Sequence, residues 1–351
     1  MHYQNDDIRI DEIKELLPPI AILERFPATE HASSTVFNAR NSIHQILARK
    51  DDRLLVVIGP CSIHDPVAAL EYGQRLVKLR EQYKNQLEIV MRVYFEKPRT
   101  TVGWKGLIND PYMDNSFQLN DGLRTARKLL VDLNDSGMPT AGEFLDMITP
   151  QYVADMMCWG AIGARTTESQ VHRELSSGLS CPVGFKNGTD GTIKVAIDAI
   201  GAASAPHHFL SVTKFGHSAI VSTKGNPDCH IILRGGRAPN YSAEHVSDIA
   251  KQLAKSGLTD NIMIDFSHAN SSKDYKKQML VADDVAGQIS QGNHAIFGVM
   301  VESHLVEGRQ DLIEGSELCY GQSVTDACIG WDDTESLLAT LNKSVLDRRQ
   351  A

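Results

Sequence analysis

Features that would mark a secreted, membrane-spanning or nucleotide-binding protein are missing from this sequence. The six cysteines contain no CxxC pair and form no compact framework, which argues against a disulfide scaffold or a zinc ribbon. No apolar run reaches the roughly 18 residues that a membrane-spanning helix needs, and the N-terminus is polar and acidic, unlike a signal peptide. No GxGxxG follows the first predicted strand, so no nucleotide cofactor is expected. We therefore expect a cytoplasmic protein with free thiols.

The overall charge is not that of a nucleic-acid-binding protein either. The chain has 351 residues and a formal net charge of −9. A negative net charge argues against nucleic acid as a partner, although a local site can still bind anions. With 42% hydrophobic and 23% charged residues, the composition is that of an ordinary globular protein with an ample core. We expect neither nucleic acid nor a membrane as a partner.

A short apolar strand followed by an amphipathic helix recurs along the chain. Strands are predicted at eight places, which are Leu54–Gly59, 87–94, 140–145, 161–165, 182–186, 230–234, 261–268 and 295–302. Because most of these strands are apolar on both faces, they belong in a parallel sheet with helices on both sides. Eight such units favour a (β/α)8 TIM barrel of the α/β class over an open doubly wound sheet.

Three segments lie outside the eight units. Residues 1–50 precede the first strand and are predicted to form an N-terminal extension with two helices, used in oligomerisation or regulation. Residues 51–351 then form the catalytic TIM-barrel domain. The loop 95–120 is long, and loops of that length in compact domains are usually functional. Alternating apolar and polar residues at 209–213 and 219–223 predict a β-hairpin inserted at about residues 207–229.

Basic side chains recur at the C-terminal ends of the predicted strands, where the active site of a TIM barrel lies. Strands two to six place six cations there, namely Arg92, Lys97, Arg99, Arg165, Lys186 and Arg234. Buried cations without compensation are very costly, so their convergence implies a strongly anionic ligand. The set would suit two phosphates and a carboxylate. Taken singly, each arginine could instead be a solvated surface charge.

Four side chains of the kinds that bind metals come from neighbouring strands. Cys61 follows the first strand, His268 ends the seventh, Glu302 ends the eighth, and Asp326 lies in the loop after it. These strands are adjacent once the barrel closes. The mixed set suits one divalent ion per subunit, such as Mn, Fe, Zn or Co, acting as a Lewis acid. Each residue also has an ordinary alternative role, because buried cysteines are usually core residues and acids often form caps or ion pairs.

Seven long motifs are spread in order along almost the whole chain. They are IGPCSIHD (58–65), RVYFEKPRTTVGWKG (92–106), GARTTES (163–169), GFKNGTD (184–190), LRGG (233–236), DFSHAN (265–270) and SVTDAC (323–328). They resemble the type I 3-deoxy-D-arabino-heptulosonate 7-phosphate (DAHP) synthases, and residues 146–151 and 3–7 are most similar to the phenylalanine-sensitive isozymes. The resemblance implies a transferase that condenses phosphoenolpyruvate with erythrose 4-phosphate and releases phosphate. That reaction is the first step of the shikimate pathway to aromatic amino acids.

The resemblance also implies a role for individual residues. The metal ligands would be Cys61, His268, Glu302 and Asp326. Phosphoenolpyruvate would be held by Arg92, Lys97, Glu143, Gly163, Ala164, Arg165, Lys186, Arg234 and His268, and erythrose 4-phosphate by Lys97, Pro98, Arg99 and Thr100. The residues expected to act in catalysis are Lys97, Arg165, Lys186 and His268, with Lys97 delivering a proton to the new hydroxyl.

Phenylalanine is expected as a feedback inhibitor at a separate site. The predicted residues are Asp7, Phe144, Met147, Gln151, Leu175, Leu179, Ser180, Phe209, Ser211 and Val221, a mixture of apolar and polar side chains that suits an aromatic amino acid. By resemblance, Asp7 of an adjacent subunit would meet the ammonium group of the inhibitor. A homo-oligomer is therefore expected, and specifically a homotetramer built from dimers. The alternative is that these residues only pack the hairpin onto the barrel.

Two other functions remain open at this stage. One is a synthase of an eight-carbon 3-deoxyulosonate 8-phosphate, which would use the same barrel type and phosphoenolpyruvate. The extension 1–50, the hairpin and the KPRT motif at 97–100 disfavour it. The other is a barrel that binds anions without catalysis, which the intact set of metal ligands disfavours.

Overall fold

The computed structural model describes residues 3, 5–99, 103–313 and 315–350. Its strands are β1 (Leu54–Gly59), β2 (Leu87–Arg92), β3 (Thr140–Glu143), β4 (Met157–Ile162), β5 (Val183–Lys186), β6 (His208–Val212), β7 (Ser218–Ser222), β8 (Cys229–Leu233), β9 (Ile262–Asp265), β10 (Ile296–Glu302), β11 (Val306–Arg309) and β12 (Gln322–Ser323). Eight of them close into a parallel barrel in the order β1-β10-β9-β8-β5-β4-β3-β2. The predicted TIM barrel is therefore confirmed.

Helices follow most strands along the chain, and two further helices precede the first strand. They are α1 (Pro19–Arg25), α2 (Glu30–Leu47), α3 (Pro66–Tyr83), α4 (Leu119–Asp135), α5 (Pro150–Val153), α6 (Gln170–Ser176), α7 (Lys194–Ala203), α8 (Ala243–Lys255), α9 (Lys277–Ser290) and α10 (Trp331–Arg348), with a 3-10 turn at Ala154–Met156. The side chain of Asp65 accepts hydrogen bonds from the N–H groups of Val67 and Ala68 and so caps α3. No described helix is long and apolar enough to cross a membrane.

The fourth strand was predicted too late in the chain. It was expected at 161–165 but begins at Met157 and ends at Ile162, so Arg165 lies in the turn that follows the strand. A glycine inside this strand is the physical reason for the error. A Cβ on Gly160 would come within 2.4 Å of the Phe144 ring, so a residue that usually interrupts strands is required here.

The strand that leads to His268 is also shorter than predicted. It ends at Asp265, and His268 lies three residues later with φ of 58°, a left-handed conformation that is uncommon outside glycine. After Asp265, side-chain hydrogen bonds hold the backbone in place of the backbone hydrogen bonds of the sheet. The Asp265 carboxylate accepts from the N–H of Ser267 at 3.0 Å, and the side chain of Asn270 donates to the backbone carbonyl of Asp265 at 2.8 Å.

The inserted hairpin is formed by the antiparallel strands β6 and β7, with Phe209 opposite Val221. A hydrogen bond of 2.6 Å between the hydroxyls of Ser177 and Thr223 joins the base of the hairpin to the end of α6. Its turn meets the N-terminal segment, where the N–H of Ile20 donates to the carbonyl of Lys214 at 2.8 Å. The division into an extension and a catalytic domain stays a prediction. The small parallel pair β11 and β12 was not predicted.

Candidate active site

A cavity of about 460 Å³ opens at the C-terminal end of the barrel. Its walls bring together Arg92, Lys97, Pro98, Arg99, Glu143, Gly163, Ala164, Arg165, Lys186, Arg234, His268 and Asp326, all of which had been singled out from the sequence. Thr100, the remaining predicted substrate residue, lies outside the described part of the chain. The basic residues therefore meet around one space, as a barrel mouth requires.

The guanidinium of Arg92 makes hydrogen bonds and a ring contact with neighbouring protein groups at the cavity wall. Its Nη2 donates to the carbonyl of Cys61 and to Glu302 Oε1, each at 3.1 Å, and its guanidinium carbon lies 3.5 Å from the centre of the Tyr94 ring. Tyr94 was missed by the sequence reasoning. Its buried hydroxyl has no hydrogen-bond partner among the described residues. Arg92 thus connects the ends of β1, β2 and β10 as well as facing the cavity.

Lys186 and His268 share one buried carboxylate oxygen. Asp265 Oδ2 accepts from Lys186 Nζ at 2.8 Å and lies 2.9 Å from His268 Nδ1. The latter contact is at ion-pair distance but does not have the geometry of a hydrogen bond. Burial opposes ionisation of Asp265, yet His268 and Lys186 outweigh it and hold the pKa of this carboxyl well below its usual range. Asp265 was missed, although a charged residue ending an apolar strand was a visible signal.

Four cations of the cavity have no carboxylate partner in the part of the chain that the structure describes. They are Arg99, Arg165, Arg234 and Lys273. Burial lowers the pKa of Arg234, and the nearby positive charge of Arg165 adds to this effect against the opposing influence of Asp265. Lys273 and Arg309 also line the cavity and were not predicted. A ligand with several negative charges would relieve this repulsion.

A compact group of potential metal ligands adjoins these cations. The ligand atoms of Cys61, Glu302 and Asp326 all lie within 4.8 Å of one another. Lys97 Nζ lies 2.8 Å from both Cys61 Sγ and Asp326 Oδ2, and the hydroxyl of Ser267 donates to Glu302 Oε2 at 2.8 Å. Asp326 and His268 both line the cavity, but His268 is not a member of this group. We call Cys61, Glu302 and Asp326 the donor group.

The charge state of the donor group is set by burial and by its cations. Burial raises the pKa of the Cys61 thiol to about 11, with a further contribution from Glu302. Burial also disfavours ionisation of Glu302 and Asp326, but neighbouring positive groups outweigh it, so the pKa of each carboxyl is lowered. For Asp326 the strongest of these groups is Lys97. The result is a protonated thiol beside two carboxylates, a set that can accept a divalent transition metal if the thiol proton leaves.

The structure brings only part of the predicted inhibitor-binding set together beside the hairpin. A surface cleft of about 490 Å³ includes Met147 and Ser211 from that set, and the Ser211 hydroxyl donates to the carbonyl of Met147 at 3.0 Å. Phe144 and Leu175 are instead buried in the core. The others, Asp7, Gln151, Leu179, Ser180, Phe209 and Val221, lie outside the lining of this cleft, and Asp7 is exposed with φ of 55°. The inhibitor site stays a prediction.

Fold and site together define an α/β-barrel enzyme that combines an anion pocket with a potential metal centre. A profile of the DAHP synthetase I family matches residues 26–339. The chain is 74% identical, over 99% of its length, to the whole of the protein named phospho-2-dehydro-3-deoxyheptonate aldolase, Phe-sensitive, from Escherichia coli K12. It is 53% identical, over 98% of its length, to 99% of a Trp-sensitive aldolase of the same name from Enterobacter agglomerans.

A solved structure agrees with these sequence matches. Phospho-2-dehydro-3-deoxyheptonate aldolase from Francisella tularensis SCHU S4 superposes with a TM-score of 0.95 at 52% identity, covering 97% of this chain and 99% of that one. The chain therefore belongs to the DAHP synthetase I family. The prediction that it is an enzyme of the DAHP synthase class is confirmed.

Proposed function

We propose that this protein condenses phosphoenolpyruvate with erythrose 4-phosphate to give DAHP and phosphate, the first step of the shikimate pathway. The observation that carries the proposal is one cavity whose wall includes Asp326 of the donor group together with Arg99, Arg165 and Arg234, which have no carboxylate partners among the described residues. The arginines suit the two phosphorylated substrates, and the donor group suits one metal ion. The names of the relatives support the same reaction.

Phosphoenolpyruvate is assigned to the side of the cavity formed by Arg165, Lys186 and Arg234. Gly163 belongs to that wall, and a Cβ there would lie 2.3 Å from Glu143 Oε1. Glycine thus leaves room for the Glu143 carboxylate at the edge of the pocket. Erythrose 4-phosphate is assigned to Lys97, Pro98 and Arg99, with Thr100 included on the strength of the sequence resemblance.

The donor group fits a divalent metal, with His268 as the proposed fourth ligand. Asp265 lies beside Nδ1 of His268, an arrangement in which metal-binding histidines use Nε2. A metal held there would supply Lewis-acid polarisation of the aldehyde oxygen of erythrose 4-phosphate. Mn, Fe, Zn and Co all suit a set that mixes thiolate, imidazole and carboxylate.

Three basic side chains carry the remaining chemistry. In the reaction, C3 of phosphoenolpyruvate bonds to the aldehyde carbon, water adds at C2, and the bond from C2 to the phosphate oxygen breaks. Lys97 touches both Cys61 and Asp326, so its ammonium is placed to give a proton to the new hydroxyl. Arg165 and Lys186 stabilise the charge of the departing phosphate.

Feedback inhibition by phenylalanine is part of this proposal. Its support is the 74% identity to a relative named Phe-sensitive, against 53% to one named Trp-sensitive. A short path joins the two sites, because Ser180 lies just before β5 and Lys186 ends that strand in the active-site cavity. A coupling of about 1–3 kcal/mol between the sites is enough for regulation.

We also propose a homo-oligomer, as a tetramer built from dimers. Its support is the apolar side chains on the N-terminal segment and the hairpin, where Ile8, Ile13, Leu210 and Ile220 are 65%, 78%, 80% and 76% exposed. A partner subunit would cover such a surface. Sedimentation velocity should give a tetramer, and a monomer at micromolar concentration would contradict this part of the proposal. The cytoplasmic location stays a prediction.

The experiment is phosphate release from phosphoenolpyruvate with a panel of aldose phosphates, repeated with each aromatic amino acid. Erythrose 4-phosphate should be the preferred acceptor, and phenylalanine should be the strongest inhibitor. Preference for arabinose 5-phosphate would indicate an eight-carbon synthase instead. Binding of phosphoenolpyruvate without turnover of any acceptor would indicate a barrel that only binds anions.

A further inference from the structure

One buried oxygen atom connects the two halves of the active-site cavity. Asp265 Oδ2 is 2.8 Å from Lys186 Nζ and 2.9 Å from His268 Nδ1. Asp265 is 0% exposed and is not among the residues that line the cavity. Its direct contacts with basic residues of the cavity are those with Lys186, on the phosphoenolpyruvate side, and with His268, on the metal side.

The carboxylate of Asp265 is held in place from its other side. Its Oδ1 accepts from the N–H of Ser267 at 3.0 Å, and the Ser267 hydroxyl donates to Glu302 Oε2 at 2.8 Å. Asn270 fixes the backbone by donating to the carbonyl of Asp265 at 2.8 Å. The carboxylate cannot turn toward Lys186 or His268 without losing these bonds, so the two partners share a fixed acceptor.

We propose that Asp265 is a positioning residue that couples metal binding at His268 to phosphoenolpyruvate binding at Lys186. The inference rests on the proposed function, because it requires that both ligands occupy this cavity. A carboxylate beside Nδ1 favours the histidine tautomer that carries its hydrogen there and offers the Nε2 lone pair to a metal.

The coupling follows from competition for Oδ2. When Nε2 of His268 binds a metal, the imidazole ring becomes more positive, and its ion-pair attraction to Oδ2 across the 2.9 Å contact grows. The hold on Lys186 weakens, which leaves its ammonium more available to an anion. By linkage, an anion that draws Lys186 away leaves Asp265 more available to His268 and strengthens metal binding by the same factor.

A simpler role for Asp265 makes a different prediction. If it only neutralises the buried charge of Lys186, its loss should weaken phosphoenolpyruvate binding and leave metal affinity and coupling unchanged. The test is Asp265→Asn, which keeps the shape of the side chain and removes its charge. Cobalt is titrated into metal-free protein and followed by its absorption spectrum, and phosphoenolpyruvate binding is measured by calorimetry with and without saturating cobalt.

The expected results separate coupling from simple charge neutralisation. Cobalt affinity should fall about 10–100-fold in Asp265→Asn, as is typical when the outer partner of a ligating histidine is lost. Cobalt should tighten phosphoenolpyruvate binding at least about fivefold in wild type. In the variant that enhancement should nearly vanish, even at cobalt concentrations that saturate the site.

Glu88→Gln is the matched control for the loss of a buried carboxylate. Glu88 is 2% exposed and also bridges two basic side chains, with Arg53 Nη1 at 2.6 Å and Arg80 Nη2 at 2.9 Å. It lies near the start of β2, whereas Arg92 at the other end of that strand faces the cavity. The control should keep wild-type cobalt affinity and wild-type coupling.

The outcomes distinguish this inference from the proposed function. Wild-type protein that binds no cobalt through Cys61 and His268 would overturn both. Asp265→Asn with wild-type cobalt affinity or undiminished coupling would overturn the inference alone. If the variant does not fold, NMR spectra of wild type labelled with ¹⁵N-histidine show which ring nitrogen of His268 binds zinc. The His268→Gln variant assigns the resonances. Zinc should shift the Nε2 resonance of His268, and a shift of directly bonded Nδ1 would overturn the inference.

Discussion

Metal binding at Cys61 should release a proton, and the structure sets the size of the resulting pH dependence. The thiol is fully buried, and burial raises its pKa to about 11. At about pH 7, roughly one thiol in 10⁴ is then ionised. Because the thiolate is the form that ligates, apparent metal affinity should rise about tenfold, or about 1.4 kcal/mol, with each pH unit below that pKa.

The perturbation is Cys61→Ser, which keeps the size of the side chain but removes the thiol. Cobalt affinity is measured by competition with a chelator from about pH 7.5 to about pH 9, above the range in which ordinary imidazoles titrate. Wild-type affinity should rise about 30-fold over this interval, and about one proton should be released for each cobalt bound. The variant should bind more weakly and show almost no slope.

A second buried cysteine provides the control. Cys181 is 3% exposed, and burial raises its pKa to about 11 as well, but it lies outside the donor group. Cys181→Ser should keep the wild-type slope. A flat wild-type profile, or an equal slope in Cys61→Ser, would refute the assignment of this thiol as a ligand that must lose its proton.

Four further predictions concern substrates, regulation and stability. Arg165→Ala should mainly raise KM for phosphoenolpyruvate and Lys97→Ala should mainly lower kcat; steady-state kinetics with the opposite pattern would contradict these roles. Ser180→Phe should abolish phenylalanine inhibition without changing kcat, and a retained inhibition constant would count against the proposed inhibitor site. Glu88→Gln should lower the free energy of unfolding, measured with urea, by about 3 kcal/mol, because it removes the buried carboxylate from two basic partners. A loss below about 1 kcal/mol would contradict this expectation. Burial lowers the pKa of His230 to about 4, so the unfolded state binds a proton before the folded state does as the pH falls. Between about pH 6.5 and pH 4, this residue should therefore lower the free energy of unfolding by up to about 1.4 kcal/mol per pH unit. His230→Gln should flatten that part of the plot of stability against pH.

The barrel could be predicted because its strands end abruptly. In β5 and β10 an apolar run stops at a charged residue, Lys186 or Glu302, and the structure ends each strand at that residue. Side chains at such positions face the barrel mouth, so the basic set could be recognised one residue at a time. Prediction failed in β4, where Gly160 is required by contact with Phe144, a neighbour that local sequence does not reveal.

The connections within the site could not be read from the sequence. Asp265 belongs to a motif that was noticed, but its sharing between Lys186 and His268 depends on side chains from two different strand ends. Tyr94 lies just beyond the end of β2, and nothing in the sequence around it shows that its ring packs against the Arg92 guanidinium. Residue types and their order predicted which groups meet, whereas their pairing required three-dimensional packing.

The most direct test of the account is product analysis with metal-free protein, phosphoenolpyruvate and erythrose 4-phosphate. Adding a divalent metal should start the release of one phosphate for each DAHP formed, and omitting either substrate should prevent it. Cys61→Ala should remain inactive under the same conditions. Phosphate release without erythrose 4-phosphate, or full turnover by metal-free protein, would contradict the claim that one cavity joins a metal centre to two phosphorylated substrates.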